Sequence, residues 1–269
     1  MNLLDLLRLE WKKFIPNGTF RVICVLYAAS FCLVLYLARA AGHNMTVTSN
    51  GITSHPLTSL FVYPQNWKLL ASIGSWMNIF LLGFLGVFMI TMEFSNRTLR
   101  QSVIFGMTRL EIAVSKLAWS VALALAATGL YILLGLGGEA LDGGGMPVVG
   151  SILGFFLQAL GYLFLGTLIG LLIRQTALAA LSYLAYVFIL ESIFRWTFYF
   201  TVAKTRLLLF LPNQVLGALT PLPVPESVNH LVHSTYTRPL SPVEAGLAAL
   251  VYLAMFAILF CRTIVKSDL

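Results

Sequence analysis

The sequence predicts an all-α membrane protein with six transmembrane helices. Three observations carry that expectation. Hydrophobic residues fill 59% of the 269 positions and charged residues only 10%, where a soluble domain carries about 25% charge. The mean hydropathy is +0.88. The apolar runs are long enough for helices to cross a bilayer, rather than for the shorter strands of a barrel. One transmembrane domain then covers residues 1–269, with no room for a separate soluble enzyme domain. The formal charge of +7 is read as membrane topology and not as a nucleic-acid surface.

Residues 3–15 begin the chain's organisation. Leu3, Leu4, Leu7, Trp11, Phe14 and Ile15 share one helical face, with Asp5, Arg8 and Lys12 opposite. This is the pattern of an amphipathic helix lying in the interface, its basic side chains reaching the phosphates. Leu6 and Leu9 fall out of phase. Pro16, Asn17 and Gly18 end the helix. Asp5, Arg8, Glu10, Lys12 and Lys13 interrupt the apolar run that a cleavable signal needs.

The first span is expected at 20–38. A polar stretch, 42–67, follows with His43 and His55, read as solvated loop residues; Asn44 and Thr46 match a glycosylation acceptor. The second span is expected at 70–92.

The segment 93–111 differs from everything around it. Thr98 and Gln101 have capping-box spacing, as do Thr108 and Glu111. Gly106 lies between them, where a left-handed helix stop is easiest. The reading is a short helix over 99–105, a sharp turn, then a new helix. Glu93, Arg97, Leu99, Arg100, Val103 and Arg109 complete this rigid elbow.

The third span is expected at 112–136, followed by a Gly-rich connector, 137–145. The fourth, 148–173, carries Gly166 and Gly170 at the four-residue spacing that lets helices approach closely, within the subunit or across a dimer. Arg174, Gln175 and Thr176 make a tight turn into the fifth span, 177–198. Glu191 and Arg195 lie four residues apart on it, either lining a pathway or pairing at the headgroup level, where Trp196 and Tyr199 belong. Residues 201–242 form an outer, re-entrant region. Its apolar piece, 207–219, contains Leu211 and Pro212 and is too short to span. Pro221, Pro223 and Pro225 follow, then His230 and His233. The last span is expected at 243–260.

Charge orients the spans. Arg8, Lys12, Lys13, Arg21, Arg97, Arg100, Arg109, Lys116, Arg174, Arg262 and Lys266 fall on one side. Arg39, Lys68, Arg195, Lys204, Arg206 and Arg238 fall on the other. The positive-inside rule then puts both termini in the cytoplasm. Cys24, Cys32 and Cys261 all sit in apolar runs without metal-ligand spacing. No HExxH, GxSxG or paired-Asp motif marks an enzyme.

The segment from Glu93 to Gln101, with Gly106, Met107, Thr108, Arg109, Leu110, Glu111 and then Lys116, resembles the permease subunit of type-two ABC exporters. The Leu211–Pro212 step after span five also looks familial. The architecture matches along essentially the whole chain, the sequence over about two dozen residues. The resemblance implies a multi-pass permease, in a bacterial inner membrane, that pairs as a homodimer or with a similar permease. Two separate ABC ATPase subunits would bind beneath it. The helix at 99–105 becomes the coupling helix, assisted by the N-terminal helix, and 207–219 closes the outer end. The chain has no Walker Lys loop, so ATP and Mg belong to the partner and the chain itself is no enzyme. Cargo that is lipidic, amphipathic or peptide suits an apolar path. Two alternatives stand beside this: a secondary transporter driven by an ion gradient, and a pair of subunits that transmits ATP energy to an accessory protein.

Overall fold

The computed structural model describes residues 3–44, 47–49, 52–54, 63–142, 146–201, 206–223 and 240–266. His55, Pro225, His230, His233, Lys204 and Arg238 lie outside them. Almost everything described is helical. The exception is a short antiparallel ribbon, β1 (Val47–Ser49) and β2 (Ile52–Ser54), in the stretch expected to be a loop.

Helix α1 (Leu3–Phe14) is followed by α2 (Gly18–Asn44), started by Asn17, whose Oδ1 accepts from the Thr19 and Phe20 N–H groups. Helix α3 (Gln65–Ser95) contains a π turn at Asn78–Leu82. Helix α4 (Thr98–Ile104) is the elbow helix, and α5 (Arg109–Asp142) and α6 (Val149–Ile173) follow. Helix α7 joins Thr176–Leu184, a π turn at Ala185–Leu190, and Glu191–Thr201. A 3-10 turn (Arg206–Phe210), short α8 (Pro212–Ala218) and α9 (Pro242–Lys266) complete the described chain. Among the described residues six helices, α2, α3, α5, α6, α7 and α9, are long and apolar enough to cross a membrane. This is a multi-pass membrane protein.

These helices overlap the expected spans, and most extend beyond them. The third overruns the most. Gly137 and Gly138 continue α5 instead of turning it, and the helix runs to Asp142. Small residues suit a helix at close contact; Gly138 faces the Arg39 guanidinium, where a Cβ would collide.

Helix α6 is the axis of the bundle, packed against α3, α5, α7, α8 and α9. Its strongest contact is with α3. A Cβ at Gly86 would strike the Leu163 carbonyl, one at Gly166 the Gly83 carbonyl, and one at Gly170 the Val87 carbonyl. The Gly166–Gly170 pair is therefore used inside the subunit, against α3, backbone on backbone. Each π turn is held by a polar side chain from a neighbouring element. The Tyr183 hydroxyl donates to the Ile79 carbonyl at 2.7 Å, in space that Gly83 leaves open. Asn213 Nδ2 donates to the Val187 carbonyl at 3.1 Å. Such insertions satisfy carbonyls that the widened turn frees. A buried polar chain ties α2, α3 and α6 at depth. Tyr27 donates to Asn78 at 2.8 Å, Asn78 to Gln158 at 3.3 Å, and Gln158 to Ser75 at 2.6 Å.

Candidate functional site

Two sites emerge at opposite ends of the bundle. The first is the elbow. After Ser95 the chain reverses through Arg97, which is left-handed (φ 56°) and caps α4. Thr98 is thus already helical, and its hydroxyl donates to the Glu93 carbonyl at 3.4 Å. The capping box expected between Thr98 and Gln101 does not form. The Gln101 N–H instead continues the ladder to the Arg97 carbonyl, and the Gln101 side chain is exposed. The helix runs Thr98–Ile104, one residue earlier than expected. Its stop agrees with the sequence: Gly106 is left-handed (φ 92°), with Met107 N–H bonded to the Ser102 carbonyl and Gly106 N–H to the Val103 carbonyl. The second box does form. The Thr108 N–H donates to Glu111 Oε2 at 2.9 Å, and the Glu111 N–H to Thr108 Oγ1 at 3.2 Å.

One face of α4 is held down. Leu99 is buried with Leu6, Met107 and Ile112 in a small apolar core linking α1, α4 and the start of α5. Beside it lies a cluster of four charges, three of them buried. Lys116 Nζ on α5 donates to Glu10 Oε2 on α1 and to Glu93 Oε1 on α3, both at 2.5 Å. All three side chains are 1–2% exposed. Lys13 Nζ sits 3.3 Å from the same Glu93 oxygen and donates to Ser102 Oγ of α4 at 3.4 Å. The Phe14 ring lies 5.1 Å from the ammonium of Lys116. Two carboxylates face two ammonium groups, so the cluster is neutral, which is the condition under which charge tolerates burial. It joins four elements at one point.

This corrects the reading of α1. The face turned to the protein is Leu6, Glu10 and Phe14, at spacing i, i+4, i+8. Leu4 and Trp11, assigned with Phe14 to a single apolar face, are 68% and 58% exposed, although the Trp11 ring still meets Trp119 edge-on at 6.1 Å. Leu6, out of phase in the simple pattern, is 3% exposed. The helix has one face turned to the bundle and another left exposed.

The other face of α4 is bare. Val103, Ile104 and Phe105 are 37%, 81% and 86% exposed. Arg97, Arg100, Gln101 and Gly106 are exposed with them. The residues singled out in 93–111 therefore divide. Glu93 and Leu99 face inward. Thr98, Thr108 and Glu111 shape the chain. Arg109 donates to the Val265 carbonyl at 2.9 Å, holding the end of α9. Arg97, Arg100, Gln101 and Val103 remain on the outer face. Sequence reasoning did not assign Ile104 and Phe105 to that face, nor Glu10 and Lys13 to any site. The signal for the latter pair was a carboxylate three residues before a lysine on a helix whose polar face was already filled.

Arg174, also left-handed (φ 59°), closes α6 and lies over the Phe94 ring at 5.0 Å. The tight turn expected at 174–176 is thus pinned to the elbow.

The second site is the far end, at α8. The apolar piece 207–219 is not one helix: it breaks at Leu211, the extended N-cap of α8. Pro212 has no N–H to satisfy. Glu191, 4% exposed, takes the next two: Asn213 N–H donates to Oε2 at 3.0 Å and Gln214 N–H to Oε1 at 2.9 Å. Val215 N–H reaches the Leu211 carbonyl at 2.9 Å. The first three helical positions, Pro212, Asn213 and Gln214, thus leave no N–H of theirs unmet. Glu191 and Arg195 do not pair. A carboxylate with both oxygens on backbone N–H groups has no need of the guanidinium, and Arg195 donates to Gln214 Oε1 at 3.0 Å.

Helix α8 also packs along α6. Leu219 lies at Gly154 of α6, Leu216 at Gly161, and Asn213 Oδ1 accepts from Tyr162 at 2.8 Å. Eight residues of α6 separate the ends of that contact, about 12 Å along the axis. Glu191, Arg195, Leu211 and Pro212 do come together, as one anchor for α8. Among the described residues no three His, Cys, Asp or Glu side chains gather as metal ligands. No family model matches this chain, and no curated protein matches it either.

Proposed function

We propose that this chain is the permease subunit of an ATP-driven exporter of the type-two ABC class, moved by separate ATPase subunits that dock on α4. One observation carries the reading. Helix α4 is fastened on one face by the buried Leu99 and by Ser102, which accepts from Lys13, and offers an apolar tip, Val103, Ile104 and Phe105, on the other. An exposed apolar tip flanked by Arg97 and Arg100 suits a protein cleft that is apolar inside with carboxylates at its rim. Displacement of that tip reaches α1 through Lys13, which donates to Ser102 of α4, and from there α3 and α5 through Glu93 and Lys116. A two-state bundle driven from a distance needs such a lever.

The reading places the elbow in the cytoplasm and α8 as a re-entrant gate at the outer face. A homodimer or a similar permease completes the path, and the cargo is lipidic, amphipathic or peptide. Against an ion-gradient mechanism, the acidic residue of α7 is already engaged: both oxygens of Glu191 hold α8.

Affinity purification of the tagged chain from its own membranes tests this. A Walker-motif ATPase should co-purify, and the double change Ile104→Ser/Phe105→Ser should release it. Arg100→Glu and Val103→Pro should leave the spans folded while uncoupling ATP hydrolysis from transport. Purified chain that moves cargo with no second polypeptide would overturn the reading.

A further inference from the structure

A groove lies between α2, α3 and α5, with a cavity of about 180 Å³. Cys24 and Ala28 form one wall, Leu123 and Ala126 the other, and Leu85 lies on the floor. Tyr27 also lines it, yet its hydroxyl is engaged by Asn78, so the walls present carbon. The neighbouring side chains Val25 and Leu125 are 65% and 58% exposed, which places the mouth on the lipid-facing side of two spans. The small residues Ala28 and Ala126 keep the slot open.

The groove has a polar end. Arg21 precedes Cys24 and Ala28 at spacing i, i+3, i+7, so it shares their helical face. Helical side chains lean toward the N-terminus. Accordingly the Arg21 guanidinium donates to the Pro16 carbonyl at 3.3 Å and stays exposed, below the groove and at the start of the span. Between the two levels sits an aromatic collar: Trp119, one turn before Leu123 on α5, lies 6.3 Å from Phe14 and 6.4 Å from Phe20.

We propose that this groove binds one chain of an anionic phospholipid from the elbow-side leaflet, with the lipid phosphate on Arg21. The apolar slot takes methylenes, and the guanidinium one level down takes a negative headgroup. The site is separate from the α4 tip and from α8. It does not depend on whether an ATPase drives the protein.

Native mass spectrometry of the full chain tests it, in detergent with equal amounts of phosphatidylglycerol and phosphatidylcholine bearing the same acyl chains. Phosphatidylglycerol adducts should predominate. Arg21→Gln should lower them about fivefold, the worth of one basic residue at a lipid surface, and leave phosphatidylcholine unchanged. Ala28→Phe and Ala126→Phe should reduce both. Leu250→Phe, at a 52% exposed position of α9, should reduce neither. Phosphatidylglycerol with a diazirine in one chain should crosslink to residues 23–28 and 123–130 of the unmodified protein. Crosslinks spread evenly over α7 and α9 would overturn the proposal. So would filled variants that melt normally and keep their adducts. The crosslink map decides the matter even if a filled variant misfolds.

Discussion

The elbow and the α8 anchor meet the same difficulty by different means. Each buries carboxylates in a chain that has few charges. At the elbow Glu10 and Glu93 are neutralised by whole charges, Lys116 and Lys13. At the far end Glu191 is met by the partial charges of a helix start, two N–H groups of α8. Whole charges bind several elements at one point and fail together when one is removed. Backbone donors hold a single short helix and leave the rest of the bundle indifferent. The first arrangement suits a part that must move as a unit; the second suits one that must be let go.

That contrast predicts a graded series. Lys116→Met should be the most damaging, because two buried carboxylates are left with one half-exposed lysine. The loss should be about 3–5 kcal/mol in detergent unfolding. Adding Glu10→Gln and Glu93→Gln to Lys116→Met should recover most of it; a triple variant no better than the single would mean that the cluster is not acting as a charge-balanced unit. Glu191→Ala comes next. It strands two N–H groups in the interior and should cost about 1–3 kcal/mol. Protease accessibility should rise around 206–219 while the elbow stays intact. If both ends loosen together, the distinction drawn here is lost. Gly106→Ala forces a Cβ into left-handed backbone and should cost about 1–2 kcal/mol, felt only at α4. Ile104→Ser/Phe105→Ser should alter stability by less than about 0.5 kcal/mol, since both side chains already face outward. A large thermal shift there would mean that the tip is packed within the subunit.

The spans were legible because twenty or so apolar residues in a row have few other fates. Gly106 and the Thr108–Glu111 box were legible for a local reason: each is set by neighbours within four positions. Thr98 and Gln101 have the same spacing yet form no box. The left-handed Arg97 moves the helix start by one residue, and nothing in the spacing announces it. Glu10 was illegible because its buried partners, Ser115 and Lys116, are 105 and 106 positions away. Glu191 was read beside Arg195, its nearest opposite charge in sequence. Its real partners, Asn213 and Gln214, are backbone groups, which leave no trace in side-chain identity. Local chemistry could be read; convergence across the bundle could not.

The glycine crossing of α3 and α6 carries a mechanical corollary. Where main chain rests on main chain, as Gly86 does on Leu163 and Gly166 on Gly83, no side chains remain to slide or repack. The crossing fixes α3 and α6 to each other; the freer partners are α2 and α7, with only 22% of the residues in their most apolar stretch buried.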